Sequence, residues 1–254
     1  MVKGLLKFEE YFRDYNDNYI LIGGAACDMH IEDAGLNFRA TKDLDIVIIV
    51  EALSSEFVIK FWEFIKEGEY ANKQKSEGER KYYRFTGPEK EDFPYQLELF
   101  SRKPNIELES DAHLTPIPND EDISSLSAIL LDDDYYNFII ENSEIKDGIH
   151  IAEITSLICL KARAFLDMNK LKEEGGTIDS DDLKKHRLDI IRLAAILRDQ
   201  DIDELPKSIA DDLSEVITDI RNDPPDGKII GKVMKAGNID IENAMIQLEK
   251  TFHL

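Results

Sequence analysis

Asp43 and Asp45 stand two residues apart at the head of an apolar run, KDLDIVIIV. In a strand successive side chains point to opposite faces, so the two carboxylates share one face while Leu44, Ile46 and Ile48 take the other. Two carboxylates aimed the same way form a grip for a hard divalent cation, which prefers oxygen ligands and keeps bound phosphate oxygens in its shell. Upstream, YILIGGAACDMH sets Gly23 and Gly24 directly after a short apolar strand. Glycines there permit a tight turn, and the N–H groups that open the next helix can bind phosphate oxygens. The same pair also reads as a plain strand-to-helix turn. A carboxylate pair beside such a turn points to phosphoryl or nucleotidyl transfer.

A third carboxylate candidate is Glu98 in YQLELF, where Leu97 and Leu99 face the core and Gln96 and Glu98 the other side. A charged residue in mid-strand wants a partner. Beside the Asp43 strand, Glu98 is expected to complete a metal site or to act as the base that takes the acceptor proton; alternation alone equally allows an exposed glutamate on a solvent-facing strand. Arg39 and Thr41 lie just before Asp43, where a guanidinium clamps phosphate and a hydroxyl donates to it, unless Arg39 is a surface residue. Further on, Lys161 falls on the apolar stripe of Ile154, Leu157, Ile158, Phe165 and Met168. Its ammonium either reaches a triphosphate or snorkels to water. In KKHRLDIIRL, Asp189 is four from Lys185 and three from His186, the spacing of an ordinary helical ion pair, yet it lies close to the buried stripe of Ile190 and Leu193.

These residues need elements to hold them. An amphipathic helix over 4–14, a strand over 19–22 and a helix through His30 precede the Asp43 strand. Ser54 or Ser55 caps a helix over 55–66, with Phe57, Phe61, Phe64 and Ile65 at helical spacing and Trp62 among the core residues. KYYRFTG and PYQLELFS read as a hairpin able to join the same sheet, and 137–151 as a second hairpin turning at Lys146-Asp147-Gly148. The stretch 105–134 is rich in acidic, proline and serine residues. From Ala152 the pattern becomes helical, over 153–172, 180–198, 208–221 and 240–252, with breaks at 173–176 and 222–225. The expected organisation is an α/β (α+β) domain over 1–150, a mixed sheet with flanking helices, and a C-terminal helical domain over 151–254 that closes the nucleotide cleft.

The chain of 254 residues is 43% hydrophobic, enough for a substantial core. Its 31 basic against 53 acidic side chains give a formal charge of −22, which denies duplex DNA a broad basic footprint while leaving room for a local basic pocket that takes an RNA end. No run approaches the ~18 to 20 apolar residues of a membrane span, and the N-terminus is broken by charge too early for a secretory signal. Cys27 and Cys159 read as buried free thiols. A soluble, cytoplasmic protein without a membrane partner is expected. The five histidines show no zinc spacing.

Taken together, LIGGAACDMH, RATKDLDIVI, QLELF, LKARAFLDM and KKHRLDIIRL resemble the AbiEii-type members of the nucleotidyltransferase (polymerase-beta-like) superfamily, the toxin halves of bacterial toxin–antitoxin pairs. The resemblance implies a nucleotidyltransferase-like fold and Mg²⁺- or Mn²⁺-dependent transfer of NMP from an NTP to a hydroxyl acceptor, RNA such as a tRNA end or a protein, with an antitoxin protein as partner. It implies Asp43, Asp45 and Glu98 as catalytic residues and metal ligands, and Gly23, Gly24, Arg39, Thr41, Lys161 and Asp189 around the nucleotide. In the superfamily the second glycine position is often serine; here it is Gly24. The alternative is a non-catalytic nucleotide-binding or partner-regulated protein on the same fold.

Overall fold

The computed structural model describes residues 2–75, 81–101, 115–116, 129–130, 132–176, 179–198, 201–202 and 204–254. They divide into two compact units, Met1–Ala26 with Ala40–Glu153 and Cys27–Arg39 with Ile154–Leu254.

In the first unit α1 (Leu5–Phe12) and a 3-10 turn (Arg13–Asn18) lead into β1 (Tyr19–Ile22). All four β1 residues are buried. α2 (Gly23–Asp33) follows at once, its residues through Ala26 in this unit and the rest in the second. The unit continues with β2 (Asp43–Ile48), α3 (Ser55–Glu67), β3 (Asn72–Lys75), β4 (Lys81–Thr86), β5 (Gln96–Ser101), β6 (Thr115–Pro116), α4 (Asp133–Glu141), β7 (Ser143–Lys146) and β8 (Ile149–Ala152). The strands form one mixed sheet in the order β6-β3-β4-β5-β2-β1-β8-β7. β2 runs antiparallel to β1 and parallel to β5. With neighbours on both sides, its later residues Ile46, Val47 and Ile48 are buried on either face, as an interior strand requires.

Aromatic side chains dominate the core against this sheet. α1 presents Phe8 and Phe12, α3 presents Phe57, Phe61 and Phe64, and all five are buried. Their rings meet one another and Tyr19, with centroids 5.3 Å apart for Phe12 and Phe64 and 5.6 Å for Phe12 and Phe57. Such ring pairs add to the stabilisation from area alone. α3 begins where it does because the Ser54 hydroxyl accepts from Phe57 N at 3.2 Å and donates to Asn18 Oδ1 at 2.9 Å.

Residues 137–151 differ from the sequence reading. The second hairpin is confined to β7 and β8, turning at Asp147-Gly148, and residues 137–141 belong to α4 instead. Asp132 caps that helix, accepting from the amide of Asp134 at 2.9 Å, and Tyr135, Tyr136, Phe138 and Ile139 are buried along it. The stretch 105–134 lies for the most part outside the described residues.

The second unit holds α5 (Ile154–Glu173), α6 (Ser180–Ala194), α7 (Lys207–Asn222), α8 (Gly227–Met234) and α9 (Ile241–Phe252). α8 is absent from the sequence reading, since two glycines in GKIIGKVM weaken its helical pattern. Their role is close packing: a Cβ at Gly231 would overlap the Gly237 carbonyl and one at Gly227 that of Ile239, so the chain after α8 folds back onto bare backbone. Asp179, Asp226 and Asp240 cap α6, α8 and α9. Arg221 on α7 reaches Glu242 and Glu249 on α9 at 2.7 and 2.6 Å. Among the described residues no helix is long and apolar enough to cross a membrane.

The aromatic core sets an expectation for stability. Phe64→Ala should lower the unfolding free energy of the first unit by about 3–5 kcal/mol, measured by urea denaturation. A loss under about 1 kcal/mol would show that the α1–α3 ring cluster collapses around the gap and carries little of the fold.

Candidate functional site

Strand register brings the sequence-predicted carboxylates together. Asp43 pairs with Gln96 and Asp45 with Glu98 across the parallel β2–β5 pair, and Asp45 also pairs with Ile22 on β1. Along β2 the half-buried Asp43 and Asp45 alternate with the buried Leu44 and Ile46, as the spacing requires. Glu98 is only 6% exposed. Its Oε1 accepts from Arg84 Nε at 2.7 Å and Gln96 Nε2 at 2.9 Å, and Arg84 is its register partner on the antiparallel strand β4. Burial, followed by the charge of Asp45 and a hydrogen bond between the two carboxyls, raises Glu98 to about 8, against the opposing pull of Arg84. The mid-strand charge therefore has partners on both neighbouring strands and is not a solvent-facing residue.

Gly23 stands beside this group for a definite reason. Its φ is +66°, and a Cβ there would overlap Asp45 Oδ2. The turn after β1 must be glycine to leave room for the carboxylate as well as to turn. Gly24 is buried at the start of α2, and Thr41 is half-buried two residues before Asp43.

Among the described residues no group of three His, Cys, Asp or Glu side chains is gathered as a metal site. The donor chemistry fits Mg²⁺ or Mn²⁺ all the same. Mg²⁺ is commonly held by one or two protein carboxylates, with water and substrate phosphates completing its shell. Asp43 and Asp45 offer two carboxylates on one face of the strand.

In the second unit a different cluster forms around Asp189, whose side chain is fully buried. Arg39 Nη2 donates to it at 2.8 Å and Arg192 Nη1 at 2.7 Å, and Lys161 Nζ lies 3.5 Å away. Lys161 is 7% exposed and so is not snorkelling, and Arg39 is not an unattached surface residue. Burial alone would push the Asp189 carboxyl up; Lys161, Arg39 and Arg192 outweigh it and hold it below the usual carboxylate range. Three cations face this one carboxylate. Burial and the Lys161 charge hold His186 well below its ordinary value, and its Nδ1 and Arg192 Nε are buried without a hydrogen-bond partner among the described residues.

Sequence reasoning missed Arg84 and Arg192. Arg84 stands in a strand of aromatic and polar residues, and the demand of Glu98 for a counter-charge was the signal for it. Arg192 follows Asp189 at the i,i+3 helical spacing.

No protein-family model matches the chain, and no curated protein does. Several solved structures are similar to it. An antigenic nucleotidyltransferase-like protein from Paracoccidioides brasiliensis matches at 13% identity and a TM-score of 0.42, with 99% of this chain and 97% of that one covered. The Megavirus polyadenylate synthase matches at 12% identity and a TM-score of 0.39, with 87% of this chain and 36% of that one covered. Likeness of that size leaves the site to be read from its own side chains.

Two outcomes follow. Glu98 has its folded value above the unfolded one of 4.5, so from there up to about 8 the folded protein holds a proton that the unfolded chain has lost. Unfolding free energy therefore falls as pH rises through that window, and Glu98→Gln removes that share of the slope. Urea titrations of both proteins without divalent cations test this; equal slopes would place the cause elsewhere. Asp189→Asn removes the shared counter-charge of the buried Lys161 and Arg192 and the half-buried Arg39 and should cost the second unit about 3–5 kcal/mol in the same assay, whereas a near-neutral effect would mean that water reaches the cluster.

Proposed function

We propose that this chain is a cytoplasmic, Mg²⁺- or Mn²⁺-dependent nucleotidyltransferase that moves NMP from an NTP to a hydroxyl acceptor, RNA such as a tRNA end or a protein. The observation that carries the reading is the register of β2 with β5, which puts Glu98 opposite Asp45 on the face that Asp43 shares. In this reading Asp43 and Asp45 hold the cation, with Glu98 as the third carboxylate. When bound, the cation polarises the phosphate oxygens and makes the acceptor hydroxyl more acidic.

Glu98, opposite Asp45 in the strand register, is the carboxyl that takes the acceptor proton in this reading. The acceptor oxygen bonds to the α-phosphorus, the bond from that phosphorus to the bridging oxygen breaks, pyrophosphate leaves, and the hydroxyl proton passes to Glu98. Arg84 and Gln96 keep the Glu98 carboxyl oriented. Gly23 and Gly24, at the opening of α2, and Thr41 are proposed to contact phosphate. In the second unit Arg39, Lys161 and Asp189, gathered in one cluster with Arg192, are proposed to contact the nucleotide, whose phosphates guanidinium and ammonium groups recognise. A toxin role with an antitoxin partner is the finer form of this proposal and rests on the sequence motifs alone.

One observation favours the second reading, a nucleotide-binding protein that does not turn over. The Glu98 carboxyl is already engaged by Arg84 and Gln96. Incubation with each α-labelled NTP, Mg²⁺ and small RNA separates the two. We expect label in RNA or protein from the wild type, and a loss of at least about a thousandfold for Asp43→Asn with Asp45→Asn, in keeping with removal of a metal grip. Metal-dependent NTP binding without any label transfer would establish the binding protein instead.

A further inference from the structure

Tyr95 is exposed, with 52% of its surface open. The other phenylalanine, tyrosine and tryptophan side chains whose burial is described are buried or half-buried, as rings are wherever a core can take them. Tyr95 immediately precedes β5 and Lys42 immediately precedes β2. Because Asp43 pairs with Gln96, these two residues stand side by side at the end of the parallel pair where Asp43 begins. Lys42 Nζ lies 5.7 Å from the Tyr95 ring centroid, and among the described residues it forms no ion pair. The main chain under the ring is held, since Tyr95 O accepts from Gly87 N at 3.2 Å.

A scattered exposed hydrophobic residue is ordinary on any surface. Tyr95 differs in its place and its neighbour. Every base has a π-face that stacks on an aromatic ring whatever its sequence, and a nearby ammonium meets the sugar-phosphate that the base carries. In a chain of charge −22 a polyanion meets long-range repulsion, so a ligand of this kind must be held by short-range contacts of that sort.

We propose that Tyr95 and Lys42 form a stacking platform for an unpaired nucleobase at the end of the β2–β5 pair where Asp43 begins. The choice of a nucleobase rests on the nucleotidyl-transfer reading. Two sources share this chemistry, the base of the NTP and the terminal base of an RNA acceptor.

Binding without turnover tests the platform apart from the reaction. The probes are a fluorescent single-stranded rA4, the same strand with an abasic 3′ end, and ATP, titrated against the full chain and against Tyr95→Phe, Tyr95→Leu and Lys42→Gln. All variants are at exposed positions, and unchanged melting verifies that they fold. Tyr95→Leu should weaken binding about tenfold or more while Tyr95→Phe stays within about twofold, because the ring and not the hydroxyl stacks. Lys42→Gln should weaken binding and flatten its salt dependence.

A loss confined to rA4, mimicked in the wild type by the abasic strand, assigns the platform to the acceptor; a loss confined to ATP assigns it to the nucleotide. Wild-type binding of both probes by Tyr95→Leu, or no binding of either probe by the wild type, overturns the platform. A platform confirmed by binding in a protein that transfers no label would leave this inference standing and remove the transfer reading; full transfer with an indifferent Tyr95 would do the reverse.

Discussion

Asp45 lies where three strands come into one register, opposite Ile22 on one side and Glu98 on the other. The first pairing brings the turn at Gly23 against the Asp45 carboxylate, where a side chain of any size would collide. The second sets the buried Glu98 carboxyl beside the half-buried Asp45, and the cost of burial next to a like charge appears as the upward shift of Glu98. A slip of one residue would exchange every face, presenting Leu44 and Leu97 where the carboxylates now stand. The register is therefore held by the apolar residues between them: Leu44, Ile46, Leu97 and Leu99 are all buried. The hydrophobic alternation that builds the sheet is the same feature that assembles the candidate site.

The Asp189 cluster obeys a different balance. Burying a charge is unfavourable unless partners replace its water, and Asp189 has three. A packed apolar cluster of the same volume would serve stability as well or better, so stability alone does not account for so many ions in one place. Arg192 Nε and His186 Nδ1 are buried there without a hydrogen-bond partner among the described residues, whereas buried polar atoms are normally paired.

Much of this was legible in the sequence because it follows from local periodicity. Strand alternation put Asp43 with Asp45 and Gln96 with Glu98, and the apolar spacing of 55–66 gave a helix that the structure extends by one residue, to Glu67. What escaped depends on contacts far apart in the chain or on packing that no local pattern carries. Arg39 and Asp189 are separated by 150 residues, and nothing near either one names the other. Arg84 meets Glu98 only because the β4–β5 register aligns them. Residues 137–141 carry a short apolar run, Phe138, Ile139 and Ile140, that periodicity cannot tell from a strand, and the cap at Asp132 decides for helix. In α8 the glycines that lower helix propensity are the ones the returning backbone needs.

The acidity of the chain also reads differently once its carboxylates are placed. Asp132, Asp179, Asp226 and Asp240 each cap a helix, a position in which an aspartate is favoured by the exposed amides and by the helix dipole. Part of the charge of −22 is thus a consequence of helix capping and needs no basic partner to explain it. The remaining field still repels phosphate, and it falls off within about a Debye length at physiological salt. Any anionic ligand of this protein must then be gripped by contacts that salt and distance do not weaken, namely buried guanidinium and ammonium groups, backbone amides and stacked rings. The cations around Asp189, the opening of α2 and the exposed ring of Tyr95 are features of that kind, and a broad basic surface is not required beside them.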